Sequence, residues 1–271
     1  MKQKLDYLYH YTTAEGLIGI VTNREIWCTS ILCLNDPTEF REGLTLAAQH
    51  LSRLKKDGTL TSEISQELAD TFTSLARPSP TTIRTFVCSF SEDPDSLAQW
   101  RAYCPHGGYA IGFPFETFAA LYDNREGALV QCIYDDKKKR ALIKRHVTTG
   151  RQNNWNDQSA YMFVTESLRF KHVAYSQEKE WRLIHSPLDR NKYHDGLFKK
   201  YCFRSHNGRV VPYAKVKLPD DTTWAKVKVV VGPCPPSETD ESLAAVRCLL
   251  GHIGPGNGGN ATLSTIPYRY W

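Results

Sequence analysis

Residues 6–32 read DYLYHYTTAEGLIGIVTNREIWCTSIL and predict a strand, a helix and a second strand in close succession. The aromatic-rich stretch 6–11 is typical of a short strand. Thr12 or Thr13 can cap a helix over 14–23, and Glu15 lies in its first turn, where the helix dipole stabilises an anion. Residues 25–32 are rich in β-branched and aromatic side chains, which favour a strand.

The remaining sequence predicts further helices and strands along the whole chain. Apolar residues at helical spacing predict helices over 38–55, 56–82, 95–104, 137–171 (broken near Gly150) and 241–253. Strands are predicted over 85–91, 109–113, 128–135, 179–186, 209–218, 224–233 and 262–270. The expected fold is α+β, one domain over residues 1–271 with a mixed or antiparallel strand core. Segments 56–82 and 137–171 are expected to be peripheral and helical.

Composition favours a protein without a membrane partner. The chain is 41% hydrophobic and 23% charged, which is ordinary for a globular protein, and no stretch approaches the roughly 18 apolar residues of a membrane span. The N-terminus lacks the apolar segment of a secretory signal, so we expect a cytoplasmic protein. The net charge of +5 permits contact with a polyanion. The basic runs at 137–140 and near Lys199, Lys200 and Arg204 are predicted to be solvated faces.

The eight cysteines predict free thiols rather than disulfides or a metal site. They show neither a CxxC pair nor a Cys–His cluster at zinc spacing. A free thiol beside apolar residues behaves as a small buried hydrophobe, as expected in a reducing compartment. Six cysteines lie in or beside such runs: Cys28, Cys33, Cys88, Cys132, Cys202 and Cys248.

The first candidate site is His10-Tyr11-Thr12, where the first strand meets the first helix. A histidine at this position can donate to a ribose hydroxyl, while the helix N-terminus favours a phosphate. The alternative is a structural histidine that bonds to the backbone.

The second candidate site is the run from Glu178 to Arg182. Strand alternation places Glu178, Glu180 and Arg182 on one face. One carboxylate of such a site can orient a substrate hydroxyl and help a nucleophile lose its proton. Transfer of a ribosyl group needs such a carboxylate, because its transition state resembles an oxocarbenium ion. The alternative is an exposed ladder of ion pairs.

The third candidate site follows the second strand, at Asn35 and Asp36. Asn-Asp-Pro is a strong turn signal, so a turn and helix cap is the alternative interpretation. Trp27 can stack on a flat ring, although an aromatic residue in a strand is more often part of the core.

Four blocks of sequence resemble a large family of uncharacterised prokaryotic proteins, domain-of-unknown-function family 2971. The blocks are LYHYTTAEGLIGIV (8–21), IWCTSILCLNDPTEF (26–40), VCSFSEDPDSLAQWRAYCPHGGYAIGF (87–113) and YSQEKEWRLI (175–184). The resemblance extends from Tyr9 to IPYR at 266–269. The order of His, aromatic and Glu residues also resembles the ADP-ribosyltransferase superfamily.

The second resemblance implies an ADP-ribosyltransferase-like fold that uses NAD as substrate and needs no metal. By position, His10 corresponds to the ribose contact and Glu180 to the catalytic carboxylate, with Glu178 completing a Glu-x-Glu motif. Trp27 or Tyr11 would stack on nicotinamide, and Arg182 or Arg101 would bind phosphate. Ser30 lies in a run, Cys28-Thr29-Ser30, that loosely resembles Ser-Thr-Ser, but a Trp stands where that superfamily usually has Tyr.

The implied function is transfer of ADP-ribose to a protein or nucleic acid, as a toxin or phage-defence effector. Two alternatives are an NAD glycohydrolase and a non-catalytic module that binds a nucleotide or nucleic acid.

Overall fold

Ten strands of the described residues form one sheet that is mostly antiparallel. The computed structural model describes residues 5–34, 38–58, 70, 85–118, 128–152, 166–185, 201–206, 208–218, 224–253 and 260–269. The strands are β1 (Tyr7–Thr12), β2 (Glu25–Ser30), β3 (Phe86–Ser91), β4 (Tyr109–Pro114), β5 (Ala128–Gln131), β6 (Glu180–His185), β7 (Cys202–His206), β8 (Arg209–Lys217), β9 (Lys228–Val231) and β10 (Ala261–Leu263). The α-helices are α1 (Ala14–Asn23), α2 (Thr38–Lys56), α3 (Leu97–Tyr103), α4 (Asp136–Gln152) and α5 (Thr239–Ile253).

The sheet divides at β3. Strand β6 pairs with all six residues of β3 along one edge. The other edge is shared, because β2 pairs with Phe86 and Val87 whereas β1 meets β3 at Ser91. Between these contacts β1 and β2 diverge, and residues 88–90 have no strand of the described chain on that edge. We call this opening the β3 gap. Strands β4, β9 and β10 continue the sheet from β1, and β8 and β7 continue it from β2.

Helix α1 fixes the position of β1 against the core. Thr13 caps the helix by accepting a hydrogen bond from the N–H of Gly16, and Arg24 ends it in the left-handed conformation at φ 54°. Leu17, Ile20 and Val21 are buried in the main apolar cluster, together with side chains of α5 and of the strands. Each such side chain contributes roughly 1.5–3 kcal/mol on burial.

The α+β class predicted from the sequence is confirmed, and the ADP-ribosyltransferase-like arrangement and the single-domain organisation stay predictions. Several predicted elements are wrong in extent. Strand β5 covers four of the eight residues expected over 128–135, and β9 covers four of the ten expected over 224–233. Over the helix expected at 137–171, α4 reaches Gln152, residues 153–165 lie outside the described ones, and 168–171 are not helical. The strand expected over 262–270 begins at Ala261 and ends at Leu263, and residues 264–269 are not part of a strand. The sequence analysis also missed β7, whereas most of the predicted helix 56–82 lies outside the described residues.

Two predictions about side chains need correction. Lys139 belongs to the basic run expected to be solvated, yet it is 1% exposed and donates to Glu42 at 2.8 Å. All eight cysteines are free, but Cys33 and Cys248 are exposed rather than buried. Local sequence indicated the character of the segment around each residue, but it did not indicate the direction in which the side chain points.

Candidate active site

His10 fills the β3 gap. Its Nδ1 lies 2.9 Å from the backbone oxygen of Ser89 and 3.5 Å from Sγ of Cys88. A carbonyl oxygen only accepts hydrogen bonds, so the geometry assigns the proton of neutral His10 to Nδ1 and leaves Nε2 as an acceptor. His10 was alternatively expected to be a structural histidine that bonds to the backbone, and this is correct for Nδ1. The ring also borders the cleft described below.

The surroundings of His10 keep its ring neutral. Burial lowers the pKa of His10, the hydrogen bond to Ser89 opposes this change, and the positive charge of Arg204 adds to it. At neutral pH the free nitrogen thus accepts a hydrogen bond. The sequence analysis expected His10 to donate a hydrogen bond to a ribose hydroxyl. With the proton on Nδ1, the hydroxyl would instead be the donor and Nε2 of His10 the acceptor.

Four charged side chains form a buried network beside the gap. Arg182 binds both oxygens of Glu180, with Nε 2.8 Å from Oε1 and Nη2 3.0 Å from Oε2. Lys171 Nζ donates at 2.6 Å to Oε2 of Glu180 and at 2.6 Å to Oε2 of Glu178. All four residues are less than 9% exposed. The expectation of an exposed ladder is therefore wrong, and the network holds two positive and two negative charges out of water.

The network keeps Glu180 ionised. Burial alone would raise the pKa of Glu180, but the charges and hydrogen bonds of Arg182 and then Lys171 outweigh it and lower the pKa to about 2. The same carboxylate raises the pKa of Lys171, against the effect of burial. A fixed carboxylate in a dry site interacts strongly with any positive charge that develops near it.

The backbone before β6 brings Glu178 and Glu180 to the same lysine. A 3-10 helix over Val173–Glu178 ends at Lys179, which adopts the left-handed conformation at φ 45°. The N–H of Glu180 then donates to the hydroxyl of Tyr134 at 2.9 Å as β6 begins. The two glutamates converge as predicted, but the turn at Lys179 causes this and strand alternation does not.

His10 and the two glutamates border one cleft. The cleft is small, with a volume of about 50 Å³, well below the roughly 300–1,000 Å³ of small-molecule sites, and it opens to solvent. The lining residues are Tyr9, His10, Tyr11, Ser89, Phe90, Gln99, Tyr103, Glu178 and Glu180. Four of these nine are aromatic, so the cleft combines apolar walls with a carboxylate pair. This is the usual composition of a site for an organic ligand.

Tyr11 is a fixed wall of the cleft. Its hydroxyl donates to the backbone oxygen of Asp93 at 2.8 Å and accepts from the N–H of Ser96 at 3.0 Å. Its ring packs edge-on against Trp100, with 4.6 Å between centroids. Burial raises the pKa of the Tyr11 hydroxyl. Tyr11 therefore contributes its ring surface to the cleft, because its polar atom is already engaged.

Several residues predicted for the site lie elsewhere. Trp27 stacks on Tyr213 with 4.4 Å between centroids and does not line the cleft. Ser30 caps the 3-10 helix after β2, Arg101 is exposed on α3, and Thr12 ends β1 outside the lining. Arg182 is in the network, with Nη1 bound to the oxygen of Leu168 at 2.7 Å. Asn35 and Asp36 lie outside the described residues.

The sequence analysis missed Lys171 and Tyr9. Lys171 was assigned to a helix, and no local pattern indicates that it bridges two carboxylates seven and nine positions later. Tyr9 was detectable, because it precedes Tyr11 by two positions on a strand and so shares its face. Gly112 opposite Tyr9 gives the ring room, since a Cβ there would lie 2.5 Å from Cε1 of Tyr9.

Residues 99–183 match the model of a family described as Protein of unknown function (DUF2971). Over this segment the chain is similar to the DUF2971 family. The DUF2971 match includes the four charged residues of the network, whereas His10 precedes it. The resemblance predicted from Tyr9 onward is thus confirmed for 99–183 and stays a prediction elsewhere. No curated protein and no solved structure matches the chain.

Neither a metal-binding cluster nor a membrane-spanning helix is found in the described ranges. No described group of three or more His, Cys, Asp or Glu side chains is arranged to hold a metal ion. Among the helices that the structure describes, none is long and apolar enough to cross a membrane.

Proposed function

We propose that this protein transfers ADP-ribose from NAD to a protein or nucleic acid, with Glu180 as catalytic carboxylate and His10 as ribose contact. The observation that supports this most is the ionised Glu180 beside Glu178 in an aromatic cleft bordered by neutral His10. A cleft with this combination suits a ribosyl group whose ring becomes positively charged as it reacts.

The proposed reaction breaks the bond between C1′ of the ribose and the nitrogen of nicotinamide. Positive charge then develops on the ribose ring, and the Glu180 carboxylate stabilises it and accepts a hydrogen bond from a ribose hydroxyl. The acceptor group attacks C1′ to form the new bond, and Glu178 receives the proton that the acceptor loses. Nicotinamide leaves with the electron pair of the broken bond. Transfer of this kind would fit a toxin or phage-defence effector.

One observation favours a second function, a module that binds a nucleotide without reacting. Glu180 already accepts three hydrogen bonds, two from Arg182 and one from Lys171. A carboxylate has about four such positions, so one is left for substrate. A binding module needs none of them to be free.

The test uses purified protein, NAD labelled on its adenylate phosphate, and cell lysate as a source of acceptors. We expect label on protein or nucleic acid with the natural sequence, none with Glu180→Gln, and full activity with Glu116→Gln. Glu116 is a matched control because its side chain is 70% exposed in a surface ion pair with Lys226.

Other products of the same experiment have distinct meanings. Free ADP-ribose with no labelled macromolecule would identify an NAD glycohydrolase, in which water is the acceptor. Equal labelling by Glu180→Gln would contradict the catalytic assignment. Saturable NAD binding with no release of nicotinamide would support the binding module.

A further inference from the structure

Arg204 lies at the border of the β3 gap, although it comes from the far end of the chain. It is the central residue of β7, which pairs with β8, and its Nη2 donates to Oγ1 of Thr29 at 2.9 Å. Thr29 pairs with Val87, the last residue of β3 before the gap. The guanidinium therefore lies where β2 leaves β3, next to the opening that His10 occupies.

The guanidinium of Arg204 is incompletely bonded. Its Nε is buried without a hydrogen-bond partner. Within the described residues its bonded contact is Thr29, together with the ring of Tyr213 at 5.9 Å, and no carboxylate lies within ion-pair distance. A buried charged donor without an acceptor is costly, and an anion that reached it would remove this cost.

Arg182 is the informative contrast. Its three nitrogens are bound to Glu180 and to the oxygen of Leu168, so this arginine has no nitrogen without a partner for a ligand. Arg101, the other arginine expected to bind phosphate, is exposed on α3, and neither Arg101 nor Arg204 is among the residues that line the cleft. Arg204 thus keeps a buried donor without a partner, which Arg182 lacks, and it lies at the border of the β3 gap.

The electric field of Arg204 reaches the gap. Its positive charge contributes to the lowered pKa of His10. It also opposes the effect of burial, which raises the pKa of Cys88. Both residues lie at the gap, so a negatively charged group bound beside His10 would be attracted by the same charge.

We propose that Arg204 binds a phosphate group of the nucleotide that occupies the cleft. This inference rests on the proposed function for the identity of the ligand, a dinucleotide whose ribose contacts His10. The planar fork of a guanidinium matches two phosphate oxygens, and Nε and one Nη form such a fork. Arg204 then determines the preference for a phosphorylated ligand, whereas Glu180 acts at the ribose.

The test measures binding by calorimetry with ADP-ribose, which has a diphosphate, and with nicotinamide riboside, which has none. Arg204→Gln should weaken ADP-ribose binding about 10- to 100-fold, because a hydrogen-bonded charge pair is lost. Nicotinamide riboside should bind unchanged. Arg204→Lys keeps the charge without the fork and should give an intermediate loss. Arg209→Gln, which removes an exposed arginine of β8, is the matched control and should alter neither affinity.

Each other outcome has a defined meaning. Unchanged ADP-ribose binding by Arg204→Gln, or equal weakening of both ligands, would overturn the proposal and leave the proposed function standing. A selective loss in a protein that never consumes NAD would uphold Arg204 and contradict the transferase. Failure of the natural protein to bind either ligand would overturn both. Binding of a single-stranded oligonucleotide but not ADP-ribose, lost in Arg204→Gln, would overturn the nucleotide as the source of the phosphate. Melting temperatures of all variants verify folding.

Discussion

Arg182 and Glu180 stand two residues apart on β6, and the guanidinium binds the carboxylate through two hydrogen bonds of 2.8 Å and 3.0 Å. Each residue is 2% exposed. Neighbours at this spacing share a face of the strand, so the pair forms wherever β6 is extended. The geometry of the carboxylate in the cleft is therefore fixed by its own strand.

Arg182→Gln should destabilise the fold by about 3 kcal/mol or more, because it leaves a buried carboxylate with Lys171 as its main compensation. The measurement is the free energy of unfolding in urea. Arg140→Gln, on an exposed position of α4, is the control and should change it by less than about 0.5 kcal/mol. An unchanged free energy of unfolding for Arg182→Gln would show that the Arg182–Glu180 pair does not stabilise the fold.

Acid should remove the stability that Glu180 contributes. The pKa of Glu180 is lowered in the folded state, from 4.5 to about 2, so its contribution is complete above pH 4.5 and is lost as the pH falls toward 2. A difference of this size corresponds to a contribution on the order of 3 kcal/mol. Unfolding free energies measured from pH 6 to pH 2 should converge for the natural protein and Glu180→Gln. A constant difference across this range would contradict the lowered pKa.

Lys171→Met should shift the acid limb of the activity profile to higher pH. Without the lysine, two carboxylates share the space around one missing cation, and mutual repulsion raises the pKa of one of them. The measurement is kcat/KM for NAD against pH. Lys171→Arg keeps the charge and should restore most of the profile, and Lys144→Met removes an exposed lysine as control. An acid limb at the same pH in Lys171→Met would exclude a positioning role for Lys171.

Asp95→Ala should loosen the contact between α3 and the segment after β10. The carboxylate of Asp95 accepts hydrogen bonds from Nε1 of Trp100 at 2.8 Å, from Ser264 Oγ at 2.5 Å and from the N–H of Thr265 at 2.7 Å. Loss of hydrogen bonds to a charged group should cost about 2–3 kcal/mol in unfolding free energy.

The control for Asp95→Ala is Asp240→Ala, an exposed residue in the first turn of α5, where we expect a loss below about 1 kcal/mol. Hydrogen exchange of the Thr265 amide should accelerate in Asp95→Ala alone. Unchanged exchange would show that Asp95 does not fasten this segment.

Local sequence predicted the elements that depend on local physics. A cap at Thr12 or Thr13 and Glu15 in the first turn were sufficient for α1, and aromatic and β-branched residues were sufficient for β1 and β2. These signals act within one or two turns of chain. A prediction from sequence therefore identified the first strand, the first helix and the second strand almost to the residue.

The charge network depends on tertiary contacts, and three of its four residues were predicted. Glu178, Glu180 and Arg182 were identified from their spacing, whereas Lys171 was not, nor was Arg204 beside the gap. Lys171 reaches the glutamates through a 3-10 helix and a left-handed residue that no periodicity predicts. Arg204 reaches Thr29 across 175 positions of sequence. Trp27 was assigned by position in a resemblance, and its partner Tyr213 comes from a distant strand.

The two edges of strand β3 are paired to very different extents, which affects how the cleft can open. All six of its residues are tied to β6, but Tyr9 opposite Ser91 is the one register pair that ties it to β1 within the described chain. The half of the sheet that carries His10 is thus joined to β3 by one backbone pair along this edge. Widening of the cleft at this edge would break that pair and the bond of His10 to Ser89, and would also part Phe90 of β3 from Phe113 of β4. The glutamates and Arg182 lie on the opposite side of β3 and would stay in place. Admission of a bulky substrate would then disturb apolar packing and hydrogen bonds at one margin of the sheet, and the charged centre would keep its geometry.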